Sequence, residues 1–216
     1  MEVKVMKNIL GENDRIAEEN RKLFAEKKVF VLNLMGSPGS GKTSLLEKTL
    51  SALAEKISVA VVEGDLFTAK DAERIERKNI PVVQINTVGG CHLDAAMVRR
   101  AVESLDLDKL DLLIVENVGN LVCPAEFDVG ENLKAVVLSI TEGDDKPLKY
   151  PLIFKESAVT LLNKVDLLEF TNFDLNSARE DLTTLHPNLK IIETSCTKNI
   201  GLEEWTQWLL QKIGEV

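Results

Sequence analysis

Seven short apolar runs, rich in β-branched residues, punctuate the chain. They are Val29 to Leu34, Ile57 to Val62, Val82 to Ile85, Leu112 to Val115, Val136 to Ile140, Val159 to Leu162, and a last one beginning Lys190-Ile191-Ile192. Each is too short for a helix and apolar at consecutive positions, so each reads as a strand buried on both faces. Between them the period changes. Leu46, Leu50 and Leu53 keep helical spacing, as do Ala95, Val98, Val102 and Leu105, and then Leu202, Trp205, Leu209 and Ile213. Strands alternating with helices predict an α/β domain with a mostly parallel sheet flanked by helices. Ligands in such folds sit at the carboxyl ends of the strands.

Residues 8–26 precede the first strand. Ile9, Ile16 and Leu23 recur every seven residues, with Leu10, Ala17 and Phe24 beside them. This predicts an amphipathic helical extension over residues 1–27, ahead of a domain spanning 28–216. Its stripe either packs on that domain or docks a partner outside it. Glu142 to Pro151 carries turn chemistry throughout and reads as a long loop.

Composition narrows the picture. The 216 residues are 44% hydrophobic and 28% charged, a globular balance rather than a disordered one. The formal net charge of -9 disfavours a broad grip on nucleic acid, though not a site for one nucleotide. No apolar run is long enough to span a membrane, and the first thirty residues do not resemble a signal peptide. Three cysteines, at 91, 123 and 196, make no disulfide framework, so a reducing cytoplasm is the expected compartment.

The chemistry begins at Gly36-Ser37-Pro38-Gly39-Ser40-Gly41-Lys42-Thr43, directly after the first strand and opening the first helix, with Ser44 next. This is the phosphate-loop pattern in its expected context, which predicts a P-loop NTPase fold. Gly36, Gly39 and Gly41 let backbone amides converge on phosphate oxygens, and the helix N-terminus adds partial positive charge. Lys42 is placed to reach the outer phosphates and Thr43 to ligate Mg²⁺. Asn163-Lys164-Val165-Asp166 follows the sixth run. An Asp166 carboxylate can accept two hydrogen bonds from guanine that adenine does not offer, so GTP is preferred over ATP. Lys164 can lie along the base and Asn163 can brace the loop. Ser195-Cys196-Thr197 follows the last strand and resembles the segment whose backbone supports the base, with Cys196 itself a small packing residue.

Asp65 and Glu116 end the second and fourth runs, where each can hold Mg²⁺ directly or through water. Asp65 is the expected contact, and Glu116 can alternatively position the attacking water. Gly119 can offer its amide to the terminal phosphate. Asn120, not Gln, follows Gly119, so no water-orienting side chain is evident and hydrolysis is expected to be slow. Hydrolysis to GDP and phosphate would make Lys42, Glu116 and Gly119 the catalytic group. Cys91 and His92 are adjacent in a glycine turn, and Cys123 lies four residues beyond Gly119. Two thiols and an imidazole suit Ni²⁺ or Zn²⁺, but the spacing is not that of a zinc finger, and ordinary loop residues explain it equally well. A two-fold dimer could complete a three-ligand set. His186, before Pro187, reads as a helix-end or surface residue.

Together these residues closely resemble the hydrogenase nickel-incorporation GTPases, the HypB family of SIMIBI-class P-loop GTPases. The likeness spans about residues 8–214 and rests on GSPGSGKT, on EGD at 63–65, GCHLDA at 90–95, ENVGNLVCPAEFD at 116–128, TEGDDKPLKYP at 141–151 and NKVDLL at 163–168. The resemblance implies a nucleotide-dependent homodimer that acts in nickel–iron hydrogenase maturation with a small HypA-like nickel metallochaperone. The hydrogenase large subunit is served directly or indirectly. It also implies that Cys91, His92 and Cys123 form a nickel or zinc site near the switch regions and the dimer interface. The cysteine motif or His-rich tract that some members carry does not occur before Gly36, so storage of nickel is not expected. The rival readings are a urease-accessory nickel GTPase, whose usual Cys-Pro-His motif does not occur here, and a small-metabolite kinase, which NKVD disfavours. A nucleotide-gated binding module with negligible turnover is a third.

Overall fold

The computed structural model describes residues 7–65 and 70–215. In chain order the elements are α1 (Lys7–Lys27), β1 (Phe30–Gly36), α2 (Lys42–Leu53), β2 (Val59–Asp65), α3 (Lys70–Glu76), β3 (Val82–Asn86), α4 (Ala95–Val102), β4 (Leu112–Glu116), α5 (Cys123–Glu126), β5 (Leu133–Ser139), α6 (Lys146–Lys149), α7 (Pro151–Lys155), β6 (Val159–Asn163), α8 (Leu175–Leu185), β7 (Lys190–Thr194) and α9 (Leu202–Ile213). The strands are all parallel, in the order β3-β2-β4-β1-β5-β6-β7. Every loop leaving a strand therefore emerges on one edge of the sheet, and all the predicted site motifs share that edge.

Alternation along β1 divides the core. Phe30, Leu32 and Leu34 face Leu46 and Leu50 of α2 and Trp205 and Leu209 of α9. Val31 faces Phe24 of α1 and Val98 of α4, and Met35 faces Phe154 of α7 and Leu182 of α8. Each fully buried leucine stabilises the fold by about 2 kcal/mol. The buried Trp205 indole is satisfied by the Thr49 hydroxyl at 2.9 Å. Among the described residues no helix is long and apolar enough to cross a membrane.

Two expectations change. The stretch 142–151 is not a plain loop: it holds α6 and the start of α7, and a 3-10 turn (Ile140–Glu142) leads into it. Pro147 and Pro151 sit in the first turns of these helices, where a missing N–H costs nothing. The second change concerns the face that α1 buries: the helix packs on the nucleotide-binding fold, one of the two readings above, but not through its seven-residue stripe. Its buried line is Asn13, Ala17, Asn20 and Phe24, while Ile16 and Leu23 are only half-buried. The side chains of Ile9 and Leu10 lie outside the described residues. Asn20 Nδ2 donates to the carbonyls of Ala95 and Val129 (2.9 and 3.0 Å). Asn13 Oδ1 accepts from the Ala95 amide, and its Nδ2 donates to the Asp128 carbonyl. The amides bind the backbone at the start of α4 and in the loop before β5, and this rotates the helix away from its purely apolar face.

Asn20→Ala takes the side-chain donor from the Val129 carbonyl and leaves the Ala95 carbonyl only its place in α4. Urea unfolding should show a loss of about 2–3 kcal/mol. A change within a few tenths would mean that water replaces the amide.

Candidate nucleotide and metal site

The loop between β1 and α2 is fastened from the far side of the sheet. Asn163 Nδ2 donates to the Ser40 carbonyl at 2.9 Å, and its Oδ1 accepts from the Thr194 hydroxyl. Lys164 Nζ donates to the Gly39 carbonyl at 2.6 Å. Gly41 has φ 100°, and a Cβ there would lie 2.4 Å from Asn163 Nδ2, so only glycine fits. Lys164 itself adopts φ 65°, a strained conformation held by these contacts. Lys42 Nζ donates to the carbonyls of Gly36 and Ser37. Burial pushes its pKa down, against the attraction of Glu116 and Glu142.

These residues open on a cleft of about 420 Å³ whose walls include Gly39, Gly41, Lys42, Thr43, Ser44, Glu63, Asp65, Glu116, Gly119 and Lys164. The Thr43 hydroxyl donates to Glu116 Oε1 at 2.7 Å. Glu63 lies directly opposite Glu116 in the β2/β4 ladder, and both are almost fully buried. Burial, then the Glu116 charge, raises Glu63 to about 8. Burial raises Glu116 to about 7, with Lys42 and the Thr43 hydroxyl pulling the other way. One oxygen of each carboxyl, and the Ser40 hydroxyl, are buried with no hydrogen-bond partner among the described residues. Orphaned carboxyl oxygens beside a threonine hydroxyl are the donor set of a hard divalent cation, so the residues present fit Mg²⁺. Asp65 also lines the cleft, but the carboxylate in contact with Thr43 is that of Glu116. Sequence reasoning gave Glu63 no role, nor Asp71 and Arg74, which line the same cleft. Arg74 bridges Glu47, Asp71 and Ser44, joining α3 to α2. Only the register of β2 against β4 identifies Glu63.

On the base side, Asp166 is half-buried in a 3-10 turn (Val165–Phe170) that starts at Lys164. The Ser195 backbone pairs both ways with Ile200, and its hydroxyl accepts from the Lys198 amide. Thr197 is exposed. Cys196 packs against the core, and burial pushes its thiol pKa up, as suits a packing residue. His186 terminates α8.

Cys91, His92 and Cys123 converge. Their ligand atoms all lie within 4.8 Å of one another, and the two sulfurs are 2.7 Å apart. Two thiolates on one tetrahedral ion would sit about 3.8 Å apart, given Zn–S near 2.3 Å, so the pair must open by about 1 Å to share a metal. The His92 ring stacks on Phe127 at 3.7 Å, which fixes its plane. Burial lowers the His92 pKa, keeping the imidazole in its neutral, ligating form. The hydrogen bond with Cys91, together with burial, raises Cys123.

Comparison with known proteins matches this geometry. Residues 30–193 match the CobW/HypB/UreG nucleotide-binding domain. The hydrogenase maturation factor HypB of Escherichia coli strain K12 is 50% identical over 202 residues, covering 94% of this chain and 70% of that protein. The chain belongs to the HypB family. A probable HypB of Methanocaldococcus jannaschii is 40% identical over 212 residues, 98% of this chain and 96% of that one. The crystal structure of HypB from Helicobacter pylori in complex with nickel superposes with a TM-score of 0.90 at 40% identity, covering 94% of this chain and 96% of that one. The chain thus shares with HypB an all-parallel P-loop sheet flanked by helices.

The raised carboxyls make stability depend on pH. Folded Glu63 and Glu116 hold protons that unfolded glutamates release near pH 4.5, so their contribution is complete below that value and is lost as pH rises through 7 and 8. Free of metal and nucleotide, the chain should lose on the order of 1–3 kcal/mol between pH 5 and 9. Glu63→Gln should flatten that slope in denaturant titrations. An unchanged slope would show that Glu63 is not the titrating group.

Proposed function

We propose that this chain hydrolyses GTP to GDP and phosphate, and that its nucleotide state gates a nickel or zinc site during nickel–iron hydrogenase maturation. The observation that carries this reading is the attachment of Cys123 to the segment leaving β4. Glu116 begins that segment, Gly119 lies against the phosphate loop, and Cys123 closes the sulfur pair with Cys91. Nickel in a HypB relative supports the choice of metal.

Within the cleft, the backbone of Gly36, Ser37, Gly39, Ser40, Gly41 and Ser44 cradles the phosphates, and Lys42 leaves its carbonyl partners for the outer ones. Thr43 and Glu116 hold Mg²⁺, with Asp65 beside them, and Glu63 adds a further carboxylate. Bound there, the ion neutralises charge on the phosphate oxygens. Water attacks the terminal phosphorus as the bond to the bridging oxygen breaks, and the Gly119 amide with Lys42 steadies the transferred group. Asp166 selects guanine, Lys164 flanks the base, and the backbone of Ser195, Cys196 and Thr197 supports it. A homodimer supplies the ligands that one Cys-His-Cys set lacks. A HypA-like metallochaperone and the hydrogenase large subunit exchange metal with it. The line Asn13, Ala17, Asn20 and Phe24 of α1 already faces the domain, so a partner on this helix meets its outer face, where Arg15 pairs with Glu12 and Glu19.

Asp166→Asn should weaken GTP binding by about 2–4 kcal/mol and turn preference toward xanthine nucleotides, whose extra carbonyl pairs with the amide. Equal affinity of the unmodified chain for ATP and GTP, measured by calorimetry, would refute guanine selection. Cys123→Ala should lower nickel or zinc stoichiometry and remove the effect of metal on GTP turnover. If both survive, Cys123 is not a ligand and the gating reading falls, while the GTPase reading stands.

A further inference from the structure

The Cys91-His92 pair is gripped at two successive peptide groups by one short stretch of chain. Between its two residues, the Cys91 carbonyl accepts from Asn120 Nδ2 at 3.3 Å. After it, the Leu93 amide donates to Asn117 Oδ1 at 3.0 Å. Both asparagines belong to the segment that runs from Glu116 past Gly119 toward Cys123.

The two grips differ in stiffness. Asn117 is almost fully buried, and its Oδ1 also accepts from the Val118 amide. Its Nδ2 donates to Asn33 Oδ1, and Asn33 in turn donates to the buried Glu131. The Asn117 amide nitrogen donates to the Leu34 carbonyl of β1. Breaking any of these contacts strands a buried polar group, so Asn117 is a fixed pivot. Asn120 is half-buried and spans three moving parts. Its backbone amide donates to the Gly36 carbonyl, which also receives Lys42 Nζ. Its Oδ1 accepts from the Val122 amide, the residue before Cys123, at 2.8 Å. Its Nδ2 holds Cys91.

We propose that Asn120 is the positioning residue that transmits nucleotide state to the metal site, by tying the phosphate loop at Gly36 to both metal-bearing cysteines. A displacement of the segment at Gly119 then moves Val122 and the Cys91 carbonyl together and changes the Cys91–Cys123 separation, while Asn117 holds the far end of the Cys-His pair still. The side chain that follows Gly119 is engaged at both its nitrogen and its oxygen with protein backbone. Its amide clamps the Cys-His loop.

This inference rests on the gating reading above, and its test separates the two. Nickel affinity is measured by chelator competition, with and without a non-hydrolysable GTP analogue, for the unmodified chain, Asn120→Asp and Asn120→Ala. Asn120→Asp keeps an acceptor for Val122 and loses the donor to Cys91. Its added charge is controlled by Asn120→Ala, which removes the same donor. Allosteric ratios are typically about 5–150-fold, and the unmodified chain is expected in that range. Both variants should bring the ratio to within about twofold of one. Asn120→Ala adds no charge and is read in the same way should the aspartate variant fail to fold. A ratio retained in a folded variant overturns the clamp and leaves gating intact. A ratio of one in the unmodified chain overturns gating, and the clamp with it.

Discussion

The segment leaving β4 lies so close to the phosphate loop that a Cβ on residue 119 would sit 2.8 Å from the Pro38 nitrogen. This close approach is the constraint on which the site depends. It brings an N–H beside the loop that cradles phosphate. It lets Asn120 pair with Gly36 across the gap. It also forces the chain to turn into α5 with Cys123 at the first helical position, beside Cys91. A side chain at 119 would push these two loops apart and disturb the nucleotide cleft and the metal cluster together. The parallel sheet supplies the rest, because β1 and β4 are neighbours and end at the same edge.

Electrostatics sets the resting condition of the cleft. Two buried carboxyls face each other across β2 and β4, and each keeps an oxygen without a partner among the described residues. Near neutral pH Glu63 keeps its proton, because burial and the Glu116 charge oppose its ionisation, and Glu116, raised by burial, is partly protonated. A divalent cation competes for the same oxygens and must expel those protons, so cation binding strengthens as pH rises. The same competition means that bound cation stabilises the folded chain most where the protonated pair stabilises it least.

Most of the sheet was legible because a parallel strand buried on both faces leaves an unbroken apolar run, and all seven runs became strands. Short helices were not legible: α3, α5 and α6 span seven residues or fewer, too few to display a period. Local motifs located the phosphate and base loops, since their chemistry is contiguous in sequence. Contacts across the sheet did not show. Residues 63 and 65 share a strand face, so alternation alone could not choose between them, and only the pairing of Glu63 with Glu116 distinguishes them. Phe127 stood inside a recognised motif without a role until its ring was found against His92. Asn117 and Asn33 carried no signal beyond being polar residues in or beside apolar strands. A buried amide in such a place implies a partner, but not which one.

Helix α1 shows how far that polar chain extends. Its Asn13 and Asn20 hold the Ala95 amide and carbonyl, three residues beyond His92, and Asn20 also holds the Val129 carbonyl. The Val129 amide donates to Glu131, which accepts from Asn33, and Asn33 accepts from Asn117. The Cys-His loop is therefore bounded on its exit side by α1 and beneath by the sheet, and both supports belong to one buried network. Networks of this kind are costly to satisfy only in part, so they favour a single arrangement. The freedom that remains in the loop lies on the Asn120 side, toward Cys123 and the phosphates. An amphipathic helix with the outward form of a docking arm thus acts as a buttress. By stiffening one side of the metal loop, it directs any movement of that loop to the side where the nucleotide cleft lies.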